Sequence, residues 1–99
     1  MIYFGLATGD RNALHTDETF AKGSLLGGIV AHGGLTVNTL FGALHWVNFW
    51  ERTLAALCEI HTKFIVPVRP GDKIKHLLHV VETKEVKNLS DYGFVKFEF

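Results

Sequence analysis

The sequence lacks most of what would mark a special environment. It holds one cysteine, Cys58, in 99 residues. A single thiol forms no internal disulfide and cannot build a cysteine zinc site. Cys58 therefore reads as a small buried residue of a strand. There is no excess of either charge, since ten Lys and Arg balance ten Asp and Glu. That balance argues against a nucleic-acid partner, which calls for a basic surplus, and against a polybasic membrane-surface module. No charged leader followed by an apolar run opens the chain, so the expected location is the cytoplasm. Repeats, linkers and low-complexity runs are also missing.

One long stretch, from Gly23 to Trp50, carries no Asp, Glu, Lys or Arg. It is not expected to span a membrane. Gly27, Gly28, Gly33 and Gly34 break its first half, and Leu35 to Trp50 falls short of the ~20 apolar residues a span needs. A helix apolar on nearly all sides is more often buried in protein.

What is present divides into a glycine-rich, helical first half and a strand-like second half. Ile2 to Ala7 is short and apolar, a strand or the end of a helix. Thr8-Gly9-Asp10-Arg11-Asn12 is a turn or loop by composition. Thr16 to Lys22 reads as a short helix with Thr16 as cap, acids in its first turn and Gly23 after it. A longer helix is expected from about Gly34 to Trp50. Then the period changes. Cys58, Ile60, Thr62, Phe64 and Val66 alternate with their neighbours as in a half-buried strand. Arg69-Pro70-Gly71-Asp72 fits a type II turn. Lys73 to Val86 and Tyr92 to Phe99 are further strands, joined by a turn over Lys87 to Asp91. A helix wrapped by antiparallel strands is the natural α+β arrangement. Three strands leave apolar edges open, and a partner chain is the simplest cover.

The densest polar cluster runs from Thr8 to Asp17. It places Asp10 and His15 five residues apart across a turn. A carboxylate and an imidazole so placed can hold one water, one as proton acceptor and the other as donor. His32-Gly33-Gly34 lies where the long helix should begin, and first-turn amides are free donors with partial positive charge. An acid–base pair beside an oxyanion site suits addition of water next to a thioester carbonyl. The plainer reading is that Asp10 and Asn12 make local turn hydrogen bonds and that His15 caps the next helix. Of the other histidines, His32 orients the helix entry, His45 is an interior or interface residue, and His61 is isolated. His76 and His79 are three apart in a strand and face opposite sides, so no zinc site is expected.

Gly9-Asp10-Arg11-Asn12-Ala13-Leu14-His15-Thr16-Asp17, followed by Phe20-Ala21-Lys22 and Ile29-Val30-Ala31-His32-Gly33, resembles the MaoC-like dehydratases, which include the (R)-specific enoyl-CoA hydratases. Their signature is Gly-Asp-x-Asn-Pro-x-His-x-Asp, a short helix, and a His-Gly pair opening the central helix. Phe64 to Asp72 is similar to the family's strand-and-turn segment. The resemblance implies one hotdog domain over residues 1–99, in which a curved antiparallel sheet wraps a long central helix. It implies Asp10 and His15 as the catalytic dyad and the Gly33 amide as oxyanion donor, with Asn12 and His32 as accompanying substrate-binding candidates. No cofactor or metal is implied. The expected substrate is an enoyl-CoA or related acyl thioester. The expected assembly is a homodimer or higher homo-oligomer, or a pairing with a complementary subunit. There are three departures. Ala13 stands where the family has proline. Phe41 falls where some members carry a helix serine. The family's further strands before the first helix and after Phe99 are missing, so the domain is expected to be partial. A hotdog thioesterase calls for a carboxylate on or near the central helix, and none lies there. A non-catalytic acyl-binding or regulatory subunit is the remaining alternative.

Overall fold

Gly9 decides how the chain opens. Its φ of +81° is the left-handed conformation that ends a helix, and its N–H bonds the Gly5 carbonyl. Ile2–Thr8 is accordingly a helix, α1, not a strand. The computed structural model describes residues 1–99. Two short helices follow, α2 (Ala13–Thr16) and α3 (Glu18–Gly23). Asn12 caps α2 by accepting the Leu14 N–H at 2.9 Å, and Asp17 caps α3 by accepting that of Phe20 at 2.9 Å. The cap of α3 is thus Asp17 and not Thr16, whose hydroxyl turns back to the Asn12 carbonyl at 3.3 Å. Along α3, Glu18 and Lys22 pair at 2.8 Å. Lys22, by hydrogen bond first and charge second, holds the Glu18 carboxyl below its usual 4.5. That support is lost as pH falls through the lowered value.

The long helix α4 spans Gly33–Trp46, four residues shorter than expected at its end. Asn48 takes the left-handed conformation at φ +53°. The Phe49 N–H reaches the Leu44 carbonyl at 3.0 Å and the Asn48 N–H reaches that of His45 at 2.9 Å. These two bonds make a Schellman stop, with asparagine in the place glycine usually holds. Leu40 and Leu44, one turn apart, are the buried residues of α4, while Trp46 is 85% exposed. The expected buried helix is therefore half open.

Two strands pair antiparallel, β1 (His79–Glu85) and β2 (Gly93–Glu98). Asn88, at φ +76°, turns the hairpin. A bulge at Val81 shifts the register between Val80 and Glu82. Because of it, Val80 and Thr83 share one face with Phe97 and Val95, and Glu82 lies opposite Lys96 on the other. The turn at Arg69–Asp72 forms as expected, with Gly71 at φ +91° and the Asp72 N–H on the Arg69 carbonyl at 3.1 Å. The Asp72 carboxylate accepts the Arg69 N–H at 2.8 Å.

The strand expected over Cys58 to Val66 does not form. Alternation is there, but a strand also needs a neighbour for its N–H and C=O groups. No second strand lies beside this stretch, and Cys58 is exposed rather than buried. The strand expected over Lys73 to Val86 pairs only over His79–Glu85 for the same reason. Nor does the sheet wrap α4 within the single chain. The second half meets α4 at His76, whose Nε2 lies 3.1 Å from the Thr39 hydroxyl. Beyond the helix, the Phe49 ring meets Phe97 at 5.6 Å.

The result is elongated, 55 × 24 × 23 Å, with a radius of gyration of 17.1 Å, where about 13 Å is usual for a compact chain of this length. Six residues are buried: Gly5, Ala21, Val30, His32, Leu40 and Leu44. No helix is long and apolar enough to cross a membrane.

Candidate active site

Three segments distant in sequence meet at the start of α4. The entry segment, residues 29–32, is held on both sides: Val30 N–H bonds the Leu14 carbonyl at 3.3 Å, and Ala31 N–H bonds that of Val68 at 2.7 Å. The α1–α2 loop, with Asp10 and Asn12, and α2, with His15, lie against this segment. The imidazole of His15 donates from Nδ1 to the Val30 carbonyl at 2.8 Å. A carbonyl accepts only, so Nδ1 carries the proton and Nε2 keeps its lone pair in the neutral ring.

Asp10 sits in a turn of its own making. Its Oδ1 accepts the Asn12 N–H at 3.3 Å, and its own N–H is taken by the Thr8 hydroxyl at 3.3 Å. The side chain remains exposed. Donor atoms of Asp10, His15 and His32 all lie within 4.8 Å of one another. One water with ~2.8 Å hydrogen bonds can bridge such a gap. The same three residues are the group that could be asked to hold a metal. The His15 and His32 rings, however, stack at 3.9 Å with a 32° tilt. Stacked rings send their in-plane lone pairs side by side, not to one point about 2.1 Å from each nitrogen as zinc requires. The arrangement suits a bridging water better than a chelated ion.

Asn12 is placed as the α2 cap, so its Oδ1 is committed to the backbone. Gly33 opens α4 behind His32, which offers no side-chain cap. The amides of Gly33, Gly34 and Leu35 find no acceptor within the chain, and they carry the partial positive end of the helix. A Cβ on Gly33 would stand 2.7 Å from Cζ of Phe64. Phe64 thus lies against the bare Cα of Gly33, from a stretch 31 residues downstream. Sequence reasoning did not single it out, and no local signal marks it. It also missed Gly5, where a Cβ would stand 2.7 Å from the Asp10 carbonyl oxygen. An isolated glycine inside the apolar run Ile2 to Leu6 is the signal that could have found it, because such a glycine often marks close backbone approach.

A carboxylate and an imidazole within reach of one water, beside unpartnered helix amides, are groups of the kind that general acid–base chemistry uses. The family model described as MaoC like domain matches residues 1–95, and the chain belongs to that family, whose members are typically hydratases and dehydratases. No curated protein and no solved structure gives a match.

Proposed function

We propose that the protein hydrates a trans-2-enoyl thioester, carried on CoA or a related group, to the (R)-3-hydroxyacyl thioester, reversibly. The observation that carries this reading is the placing of His15 beside Asp10. Its Nδ1–H is spent on the Val30 carbonyl, which leaves Nε2 for chemistry, and a ring nitrogen of His15 lies within 4.8 Å of an Asp10 carboxylate oxygen. Asp10 holds one hydrogen of the water and His15 accepts the other. As the water oxygen bonds to C3, His15 Nε2 takes the proton and the C2–C3 π electrons move toward the carbonyl. The amide of Gly33 stabilises the resulting oxyanion, a contribution worth about 3–4 kcal/mol in comparable sites. The enolate then collapses and C2 takes the proton back from His15, so atoms and charge balance over the cycle.

Two grooves support the substrate class. One, of 220 Å³, runs along α4 and is lined by Leu35, Val68 and Ile74 among others, which suits an acyl chain. The other, of 380 Å³, has Arg69 on its wall beside the Glu18–Lys22 pair. Arg69 has no carboxylate in ion-pair range of its guanidinium, which suits the anionic end of a carrier such as CoA.

The working unit in this reading is a hotdog dimer. The chain exposes 8338 Å², whereas a compact protein of its mass exposes about 5,700 Å². The difference has the size of an obligate interface, not a transient one. Sedimentation or light scattering is expected to give twice the 11.1 kDa chain mass. A stable monomer at micromolar concentration would sink this part of the reading.

The hydration itself is tested by following loss of the conjugated enoyl-thioester absorbance with crotonyl-CoA. Turnover is expected. A folded, dimeric sample without turnover on short or long enoyl thioesters would turn the reading toward an acyl-binding subunit.

A further inference from the structure

We propose that His32 is a positioning residue, locking both members of the Asp10–His15 pair from below without touching substrate; this rests on the hydratase reading above. His32 is the largest fully buried side chain in the protein, 2% exposed. Its Nε2 donates to the backbone carbonyl of Asp10 at 2.9 Å, across 22 residues of sequence. Its ring stacks on His15 at 3.9 Å, and Phe4 closes the far side at 5.0 Å. One imidazole therefore fixes the main chain under the carboxylate and the plane of the base. The missing side chain of Gly5 is what lets this happen, since a Cβ there would lie 3.6 Å from Nε2 and closer still to the Asp10 oxygen.

The other ring nitrogen argues that this is more than packing. His32 Nδ1 is buried with no hydrogen-bond partner. An unpartnered buried acceptor opposes folding, so a residue held for stability alone would be better apolar. The donor at Nε2 is the feature that only a polar side chain supplies, and it is aimed at Asp10.

The two jobs separate by substitution. His32→Phe keeps an aromatic ring for the stack and removes the donor together with the orphan nitrogen. His32→Gln keeps an N–H of similar reach and loses the ring. In crotonyl-CoA hydration, His32→Phe is expected to lower kcat by about tenfold or more, the scale of one lost hydrogen bond to a placed group. KM should stay within about twofold and Tm should be no lower than in the wild type. His32→Gln is expected to recover part of kcat despite lower stability. A purely structural residue would show the opposite order, with kcat following Tm.

Amide hydrogen exchange at Asn12 and Leu14 reads the same lock without turnover. Both N–H groups depend on the loop that His32 holds, so exchange should quicken in His32→Phe and stay slower in His32→Gln. Wild-type kcat and unchanged exchange in His32→Phe would overturn the proposal. Absence of turnover in the wild type would instead overturn the hydratase reading, and exchange would still decide the role of His32.

Discussion

Asp10→Asn should reduce hydration of crotonyl-CoA by roughly 10²–10⁴-fold, the range that one acid–base group contributes, while leaving the fold intact. The amide is nearly isosteric with the carboxylate. Its carbonyl oxygen can still accept the Asn12 N–H that Asp10 Oδ1 takes at 3.3 Å, so the loop keeps its turn. What disappears is a charged acceptor for the water hydrogen. The side chain is exposed, so its neutralisation should change Tm little. The paired measurement is therefore initial rate against melting temperature on the same preparations. Full turnover in the variant would remove Asp10 from the chemistry and leave His15 as the sole base.

The second large effect is expected from Gly5→Ala, a change that helix propensity alone would favour by about 0.5–1 kcal/mol. Gly5 lies inside α1 and is buried. The added Cβ would stand 2.7 Å from a backbone oxygen, that of Asp10, which cannot swing away as a side chain could. Either α1 or the Asp10 loop must move, and overpacking of this kind costs about 1–3 kcal/mol. For a chain of this length each kcal/mol is worth roughly 4–8 °C in Tm. The rate should fall together with stability, because the atom displaced is the one His32 holds. A variant more stable than wild type with normal turnover would show that Asp10 needs no fixed main chain. The contrast with Gly33→Ala is informative. There the obstacle is the ring of Phe64, which is 58% exposed and can rotate out, so the same one-carbon addition should be tolerated far better in Tm.

The parts of this architecture that were legible in the sequence are those set by neighbours a few residues apart. Asp10 and Asn12 accept turn bonds from N–H groups two positions on, and the helix after Thr16 forms with its cap one residue later than expected, at Asp17. Gly71 accepts its positive φ within a four-residue turn. Asp10 and His15 stand five residues apart across one turn, so their proximity followed from spacing. Local chemistry was also present at Asn48, but the long apolar run to Trp50 outweighed it and the helix end was placed four residues late. The remainder depends on long-range partners. His32 reaches Asp10 only after α1 and the entry segment have packed, and the sequence around His32 carries no trace of that carbonyl. Cys58 to Val66 alternates as a strand should, yet alternation describes faces and not edges. Whether such a stretch joins a ladder is settled by what lies beside it, and within this chain nothing does.

The bulge at Val81 has a consequence for how this hairpin tolerates change in length. Side-chain alternation works like a two-letter reading frame, and Val81 is an extra letter between two phrases. Upstream, Val80 is in phase with Phe97, and downstream, Thr83 and Glu85 are in phase with Val95 and Gly93. Deleting Val81 would join Val80 directly to Glu82 and leave them opposite Phe97 and Lys96, so the alternation would run unbroken through the strand. The frame would be kept on both sides, back to His76, whose ring meets Thr39 on α4, and what would go is the local bend and added twist of the bulge. Val81 is thus the one letter the pairing does not read, and its position is where β1 can be shortened without rewriting either face.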